Sequence, residues 1–172
     1  RQLALKVMLP RMSGDSRRRE LFLREASLLG QLSHPNIVRH VATGGFGESF
    51  YILMEYCCGG SLEKVMHRAG GRLELEDATE VLYQVLDGLA YAHTAAVSLT
   101  NRGGETVSLH GVVHRDLKPA NIFIQKDRGR TVYKVADFGL AKAFESSGMT
   151  GHTMTGQYCG TFWYMPRCQI LN

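Results

Sequence analysis

The sequence has few cysteines, no long apolar run and no strong excess of charge of either sign. Its 4 cysteines among 172 residues have neither the paired spacing of a zinc site nor the density of a disulfide-stapled secreted domain. No basic-then-apolar leader is present, and no apolar stretch approaches the length that spans a bilayer. We therefore expect a cytoplasmic protein with reduced thiols and no membrane-spanning segment in this chain.

Charge and composition narrow the classes further. A net charge of +4, with 44% hydrophobic and 21% charged residues, is typical of one globular domain that buries a core. The only dense basic run, Arg17–Arg19, lies at the start of a predicted helix, where a solvated face explains it. We therefore expect no nucleic-acid partner.

The order of the predicted elements indicates the fold class. Periodicity and turn residues predict, in chain order, a strand at 3–9, a helix at 16–32, strands at 37–42 and 49–55 with a hairpin turn at Gly44–Gly47, a short helix capped by Ser61, a long helix at 76–94, and short strands and loops from 112 onward. The long helix carries an apolar stripe formed by Ala78, Val81, Leu82, Val85, Leu89 and Ala92. This order predicts an α+β fold, in which a small antiparallel sheet lobe with one helix packs on a mainly helical lobe, with a joint near 55–60.

One charged residue lies on the apolar face of the first predicted helix. Glu25 shares the helical stripe with Leu21 and Leu28, so its carboxylate requires a cationic partner. Lys6, alone in an apolar strand, is the natural candidate. These two residues by themselves favour an ordinary buried ion pair over a functional site.

The segment His114–Asn121 (HRDLKPAN), followed by Asp137-Phe138-Gly139, carries the strongest chemical signal. Phosphoryl transfer requires groups that position the reactants and neutralise charge. Asp116 is suited to orient or deprotonate a substrate hydroxyl, and Lys118 to neutralise a γ-phosphate. Asn121 and Asp137 offer the hard oxygen ligands that Mg²⁺ prefers. These motifs predict phosphoryl transfer assisted by Mg²⁺.

The same motifs, in this order, resemble the eukaryotic-type (Hanks-type) protein serine/threonine kinases, including bacterial members. The resemblance covers the whole chain and implies a partial kinase domain over 1–172, with a partial N-lobe at 1–56 and a partial C-lobe at 57–172. It implies the two-lobed kinase fold with both lobes truncated, without the glycine-rich loop and the C-terminal helices. We therefore expect residues 1–172 to be inactive on their own. The implied partners are ATP and protein substrates with Ser or Thr.

The resemblance also implies roles for individual residues. The strand Leu3–Lys6 (LALK) is similar to the strand whose lysine holds the α- and β-phosphates, which makes Ala4 and Lys6 nucleotide-binding candidates, with Glu25 as the partner of Lys6. In Tyr51–Cys57 (YILMEYC), Met54 is expected to be the gatekeeper. The backbones of Glu55 and Cys57 are expected to hold the adenine.

The activation segment follows the same pattern. Gly160-Thr161 resembles the loop that receives the substrate, with Thr161 near Asp116 and Lys118. Lys118 itself is typical of serine/threonine rather than tyrosine kinases. Phosphorylation of Thr155 or Thr153, read by Arg115, is expected to control activity.

Two segments depart from the family pattern. Cys168 stands where related proteins have a glutamate that anchors the substrate loop. The stretch 95–111 is longer than the usual link before the catalytic loop and richer in Gly, Ser and Thr, which predicts a polar surface loop. Two other functions stay open: a pseudokinase or scaffold that binds without catalysis, and a small-molecule phosphotransferase of the aminoglycoside-kinase kind.

Overall fold

The computed structural model describes residues 2–8, 26–47, 49–100, 105–138 and 164. Its elements, in chain order, are β1 (Leu3–Met8), a helical turn at residues 26–29, β2 (His40–Phe46), β3 (Ser49–Glu55), β4 (Gly60–Ser61), α1 (Leu62–Arg68), α2 (Leu75–Thr94), β5 (Ala96–Thr100), β6 (Thr106–His110), a 3₁₀ turn (Pro119–Asn121), β7 (Ile122–Asp127) and β8 (Arg130–Val135). The predicted α+β class, with a small antiparallel sheet and helices, is confirmed.

The first sheet has the strand order β1-β3-β2, and both pairs are antiparallel. Its register places Lys6 opposite Ile52, which is fully buried. The predicted strand at 37–42 begins later, at His40, because Ile37 forms a parallel bridge with Val135. The residues that precede β2 therefore connect the first sheet to β8.

The turn of the β2–β3 hairpin begins later than the predicted Gly44, because β2 extends to Phe46. Gly44 and Gly45 lie inside β2, and Gly47, with φ +56°, makes the turn. The ring of Tyr51 occupies the space that a side chain at position 44 would need. Gly44 is therefore explained by close packing rather than by turn conformation.

A second antiparallel sheet, in the order β4-β7-β8, lies under the helices. The predicted cap of α1 is confirmed, since the Ser61 hydroxyl accepts a hydrogen bond from the Lys64 N–H at 3.4 Å. Helix α2 packs against β8 and buries Val81, Val85 and Ala92. Gly88 also faces inward, because a Cβ there would lie 2.8 Å from the Asn36 carbonyl oxygen.

One part of the predicted stripe of α2 was wrong. Leu82 is 60% exposed and lies with Leu75, Tyr83 and Leu86 on an apolar face that the described residues leave uncovered. The i, i+3, i+4 spacing is satisfied on both faces of this helix, so the pattern alone did not separate them. Across the described ranges, no helix combines the length and the apolarity that crossing a membrane requires.

The segment 95–111 is not the polar loop that its composition predicts. Strands β5 and β6 form an antiparallel hairpin in which Ser98 is opposite Ser108. Val97, Leu99 and Leu109 are buried in the main core. Alternation of apolar and polar residues along both strands is the signal that the Gly, Ser and Thr content obscured.

Candidate active site

The predicted catalytic loop forms a compact hydrogen-bonded unit around Asp116. The Lys118 ammonium lies 2.9 Å from Oδ2 of Asp116. The Asn121 side-chain amide donates to the same Oδ2 at 3.2 Å and to the Asp116 backbone carbonyl at 2.8 Å. Two residues that the sequence proposed for catalysis, Lys118 and Asn121, therefore converge on the carboxylate of a third, Asp116.

His114 supports this loop from below. The Asp116 N–H donates to Nδ1 of His114 at 3.3 Å, so Nδ1 carries no proton, and Nε2–H donates to the Ala136 carbonyl at 2.8 Å. Burial lowers the pKa of His114, so that the ring is neutral at pH 7. Its ring lies 4.9 Å from that of Phe138, centroid to centroid. The two rings are tilted by 49° to each other, and both are buried in the core.

The β7–β8 hairpin brings Asn121 next to the DFG segment. Asn121 immediately precedes β7 and Asp137 follows β8, so both lie at the same end of an antiparallel pair. The Ala136 N–H donates to the Asn121 carbonyl at 2.9 Å and closes this end. Asp137 has φ 55°, the left-handed region, which side chains other than Gly, Asn and Asp rarely adopt.

Lys6 reaches the same place from the first sheet. Its ammonium lies 2.8 Å from Oδ1 of Asp137, and each side chain is 38% exposed. Because both groups remain open to solvent, the pair itself stabilises the fold little, and both charges are accessible to a ligand. Glu25 lies outside the described residues, so its pairing with Lys6 stays a prediction.

The segment expected to hold the adenine links the two sheets. Met54 lines a narrow cavity that also contacts Leu29, His40 and Asp137. Ala4 lies directly opposite Met54 in the β1–β3 register. The expected roles of Ala4 and Met54 in holding a nucleotide stay predictions.

Sequence reasoning missed Lys134, which fixes Glu55. The Lys134 ammonium lies 2.9 Å from Oε1 of Glu55, with 11% and 14% of the two side chains exposed. The same oxygen accepts from the Arg39 N–H at 2.7 Å. The signal was available, because Lys134 is the only charged residue in the buried end of β8, as Lys6 is in β1.

Cys57, two residues after Glu55, is buried among Val38 and Ala136. Burial, and next the charge of Glu55, raise the pKa of Cys57 to about 11. The thiol is therefore protonated and unreactive at neutral pH. Its contribution to a ligand is limited to its backbone and its small size.

The oxygen ligands that Asn121 and Asp137 offer suit Mg²⁺ better than a metal that needs a complete shell of protein ligands. The Asn121 amide uses its nitrogen on Asp116, which directs its carbonyl oxygen elsewhere, and Asp137 supplies a carboxylate. No group of three or more His, Cys, Asp or Glu side chains suited to a metal occurs among the residues that the structure describes. Mg²⁺ is commonly held by one or two protein oxygens together with substrate phosphates and water.

Several predicted residues lie outside the described ranges and stay predictions. They are Glu25, Thr161 with its neighbour Gly160, Gly139, Cys168 and the threonines at 153 and 155.

The protein kinase domain family matches residues 1–169 of the chain. A probable serine/threonine-protein kinase, pknA2 of Bifidobacterium longum, is 36% identical over 100% of this chain and 20% of its own length. Cell division control protein 2 homolog 3 of Trypanosoma brucei brucei is 35% identical over 83% of this chain and 38% of its own length. The tyrosine-protein kinase MasK of Myxococcus xanthus is 35% identical over 96% of this chain and 24% of its own length. The chain thus spans well under half the length of these relatives.

Solved structures agree with these relatives. The PknI kinase domain of Mycobacterium tuberculosis superposes with a TM-score of 0.60 and 30% identity, over 81% of this chain and 50% of that domain. Rad53 residues 1–466, solved in complex with AMP-PNP, gives a TM-score of 0.59 and 31% identity over 81% of this chain and 32% of its own.

Proposed function

This chain belongs to the protein kinase domain family, and on that premise we propose that it transfers the γ-phosphate of ATP to Ser and Thr hydroxyls of protein substrates. The observation that carries the proposal is the convergence of Lys118 and Asn121 on Oδ2 of Asp116. A carboxylate held by two donors in this way is oriented before the substrate arrives. Serine/threonine kinases among the relatives support the acceptor class.

Asp116 acts on the acceptor. Its carboxylate orients the substrate hydroxyl and takes up its proton as the new O–P bond forms, while the bond from the γ-phosphorus to the β,γ-bridging oxygen breaks and ADP leaves. Lys118, which rests on Asp116, reaches the γ-phosphate and offsets the charge that develops on it. Thr161 is proposed to complete this side of the site by a hydrogen bond near Asp116 and Lys118.

Lys6 and Asp137 act on the donor. Lys6 holds the α- and β-phosphates, with Glu25 as its second acidic partner. Asn121 and Asp137 would hold Mg²⁺, which, when bound, neutralises the phosphate oxygens and orients them for in-line transfer. The 2.8 Å contact of Lys6 with Asp137 supports the assignment of phosphate binding and metal binding to these two neighbouring side chains.

The adenine lies between Ala4 and the link at Glu55–Cys57, which joins the two sheets. The Glu55 N–H already donates to the Arg39 carbonyl at 2.9 Å, so Glu55 offers the adenine its backbone carbonyl as acceptor. Cys57 contributes its backbone, and Met54 closes the inner wall. The Rad53 structure in complex with AMP-PNP supports a nucleotide ligand of this class.

The partition into an N-lobe at 1–56 and a C-lobe at 57–172 is part of this proposal. The link at Glu55–Cys57, which joins the two sheets, supports it. The free thiols Cys57 and Cys58 support a cytoplasmic location.

The proposal is tested on the protein expressed from its complete reading frame. It is incubated with MgATP labelled at the γ-phosphate and with a mixture of basic proteins, beside an Asp116→Ala variant. Label on Ser and Thr that the variant loses supports the proposal. Nucleotide binding without transfer would favour a scaffold, and label on an aminoglycoside instead of protein would favour the small-molecule phosphotransferase.

A further inference from the structure

The side chain of Gln31 binds both backbone groups of Ser98, which is 67 residues away in the sequence. Nε2 of Gln31 donates to the Ser98 carbonyl at 2.8 Å, and Oε1 accepts from the Ser98 N–H at 2.7 Å. A primary amide that makes this reciprocal pair reproduces one rung of a β-ladder.

The pair lies on the edge of the β5–β6 hairpin. Ser98 is opposite Ser108, and in an antiparallel ladder residues alternate between bonding the partner strand and pointing their N–H and C=O outward. Since Ser98 bonds Gln31, its backbone groups point away from β6. Gln31 therefore satisfies the exposed edge without competing with the hairpin.

The same amide is fixed to the helical turn at residues 26–29. Nε2 of Gln31 also donates to the Ser27 carbonyl at 3.0 Å, one of the last carbonyls of that turn. Leu29, two residues before Gln31, lines the cavity that contains Met54 and Asp137. The position of this turn therefore sets one wall of the space beside Asp137.

At its other end the hairpin leads into the catalytic loop. β6 ends at His110, four residues before His114. The Gly111 N–H donates to the Ala95 carbonyl at 2.9 Å, and the Val112 N–H to the Ala92 carbonyl at 2.8 Å. These bonds tie the exit of the hairpin to the end of α2.

We propose that Gln31 is a positioning residue, which clamps the turn at 26–29 to the hairpin 96–110 and so holds Leu29 against the cavity beside Asp137. The hairpin then connects this turn to the start of the catalytic loop. The proposal deepens the kinase function and, for its effect on catalysis, rests on it.

The test compares three variants of the protein expressed from its complete reading frame. Gln31→Met keeps the length of the side chain and removes its polar groups. Ser98→Pro removes the N–H that Gln31 binds, and leaves the ladder to β6 intact because that N–H points outward. Ser98→Ala is the matched control, since the contact uses only the backbone of Ser98.

Two readouts are measured. Hydrogen exchange, followed by NMR, reports the amide of Ser98 and that of Gly30, which donates to the Ala26 carbonyl. Steady-state kinetics report KM and kcat for MgATP and for the protein acceptor. We expect Gln31→Met to accelerate exchange at both amides about five- to tenfold and to lower kcat/KM for ATP about fivefold, with KM for the acceptor unchanged. Ser98→Pro is expected to accelerate Gly30 exchange and to lower kcat/KM for ATP similarly, while Ser98→Ala resembles the parent.

Three outcomes overturn the proposal. One is parent-like exchange at Gly30 in both Gln31→Met and Ser98→Pro. Another is faster exchange with unchanged ATP kinetics, which leaves a purely structural contact. The third is a loss of kcat/KM in Ser98→Ala equal to that in Ser98→Pro. If the parent transfers no phosphate, the kinase function fails separately, and Gly30 exchange alone decides whether Gln31 clamps the turn.

Discussion

The ammonium of Lys6 lies 2.8 Å from Oδ1 of Asp137, although 131 positions separate the two residues in the sequence. One belongs to the first sheet and the other follows the second. The fold therefore brings a cation and a carboxylate together, which are the two groups to which the proposed function assigns phosphate and metal binding.

We expect Asp137→Ala to lower phosphoryl transfer at least about hundredfold, because it removes the carboxylate that would hold the metal. Lys6→Met is expected to weaken transfer severely through the loss of the phosphate contact. Both are measured as kcat/KM for ATP in the protein from its complete reading frame. Lys126→Met, which removes an exposed lysine bonded to Thr131 at 2.7 Å, is the control and should match the parent. Full activity in Asp137→Ala would refute the mechanism.

His114 makes the stability of the fold depend on pH. Burial lowers the pKa of His114 in the folded state below its ordinary value of about 6.5. The unfolded state then binds more protons between the two pKa values, so the free energy of unfolding is full above about pH 6.5 and falls as the pH drops below it. His40, whose pKa burial also lowers, adds in the same direction.

Denaturant unfolding between pH 5 and pH 8 measures this slope. His114→Phe should reduce it, since position 114 then no longer titrates. An equal slope in His114→Phe would show that the contacts of the neutral ring do not control acid stability.

The buried pair of Lys134 and Glu55 is expected to be sensitive to removal of one partner. Lys134→Met leaves the Glu55 carboxylate buried with the Arg39 N–H as a remaining donor, which should cost about 3 kcal/mol of unfolding free energy. The double variant Lys134→Met with Glu55→Gln should recover part of this loss, because no charge remains buried. Thermal and urea unfolding report both values. A double variant less stable than Lys134→Met by the full cost of a second deletion would contradict the pairing.

The two adjacent thiols should differ in reactivity. Cys57 is buried with its pKa raised to about 11, while Cys58 is exposed. Iodoacetamide at pH 8 is expected to modify Cys58 many times faster than Cys57 in the native protein, because only a thiolate in contact with solvent reacts. Peptide mass mapping after timed quenching gives the two rates, and denatured protein is the control in which they converge. Equal rates in the native protein would contradict the burial of Cys57 in the link at Glu55–Cys57.

The elements with one strong periodicity could be predicted from the sequence. The strands β1 and β3 and the helices α1 and α2 arise where the predictions placed them, because their apolar spacing and the Ser61 cap are local signals. The prediction of a polar loop at 95–111 was wrong. Its small polar residues alternate with buried Val97 and Leu109, and the composition hides that alternation.

The sequence predicts the residues that carry the chemistry of the candidate site, but not the residues that hold the surrounding elements in place. The motifs around Asp116 and Asp137 carry their residue types in sequence order. The roles of Gln31 and Gln84 depend on partners far along the chain, as when Gln84 of α2 accepts from the Tyr133 N–H at 2.8 Å. Such side-chain bonds to a strand edge leave no local pattern.

In the proposed mechanism Asp116, held by Lys118 and Asn121, directs the γ-phosphate of ATP to protein hydroxyls. The most direct measurement is phosphoamino acid analysis of a protein acceptor after single-turnover reaction with labelled MgATP, for the parent and for Asp116→Ala. The account predicts phosphoserine and phosphothreonine in the parent, with a loss of at least about hundredfold in the variant. Label on tyrosine alone, or equal transfer by Asp116→Ala, would contradict it.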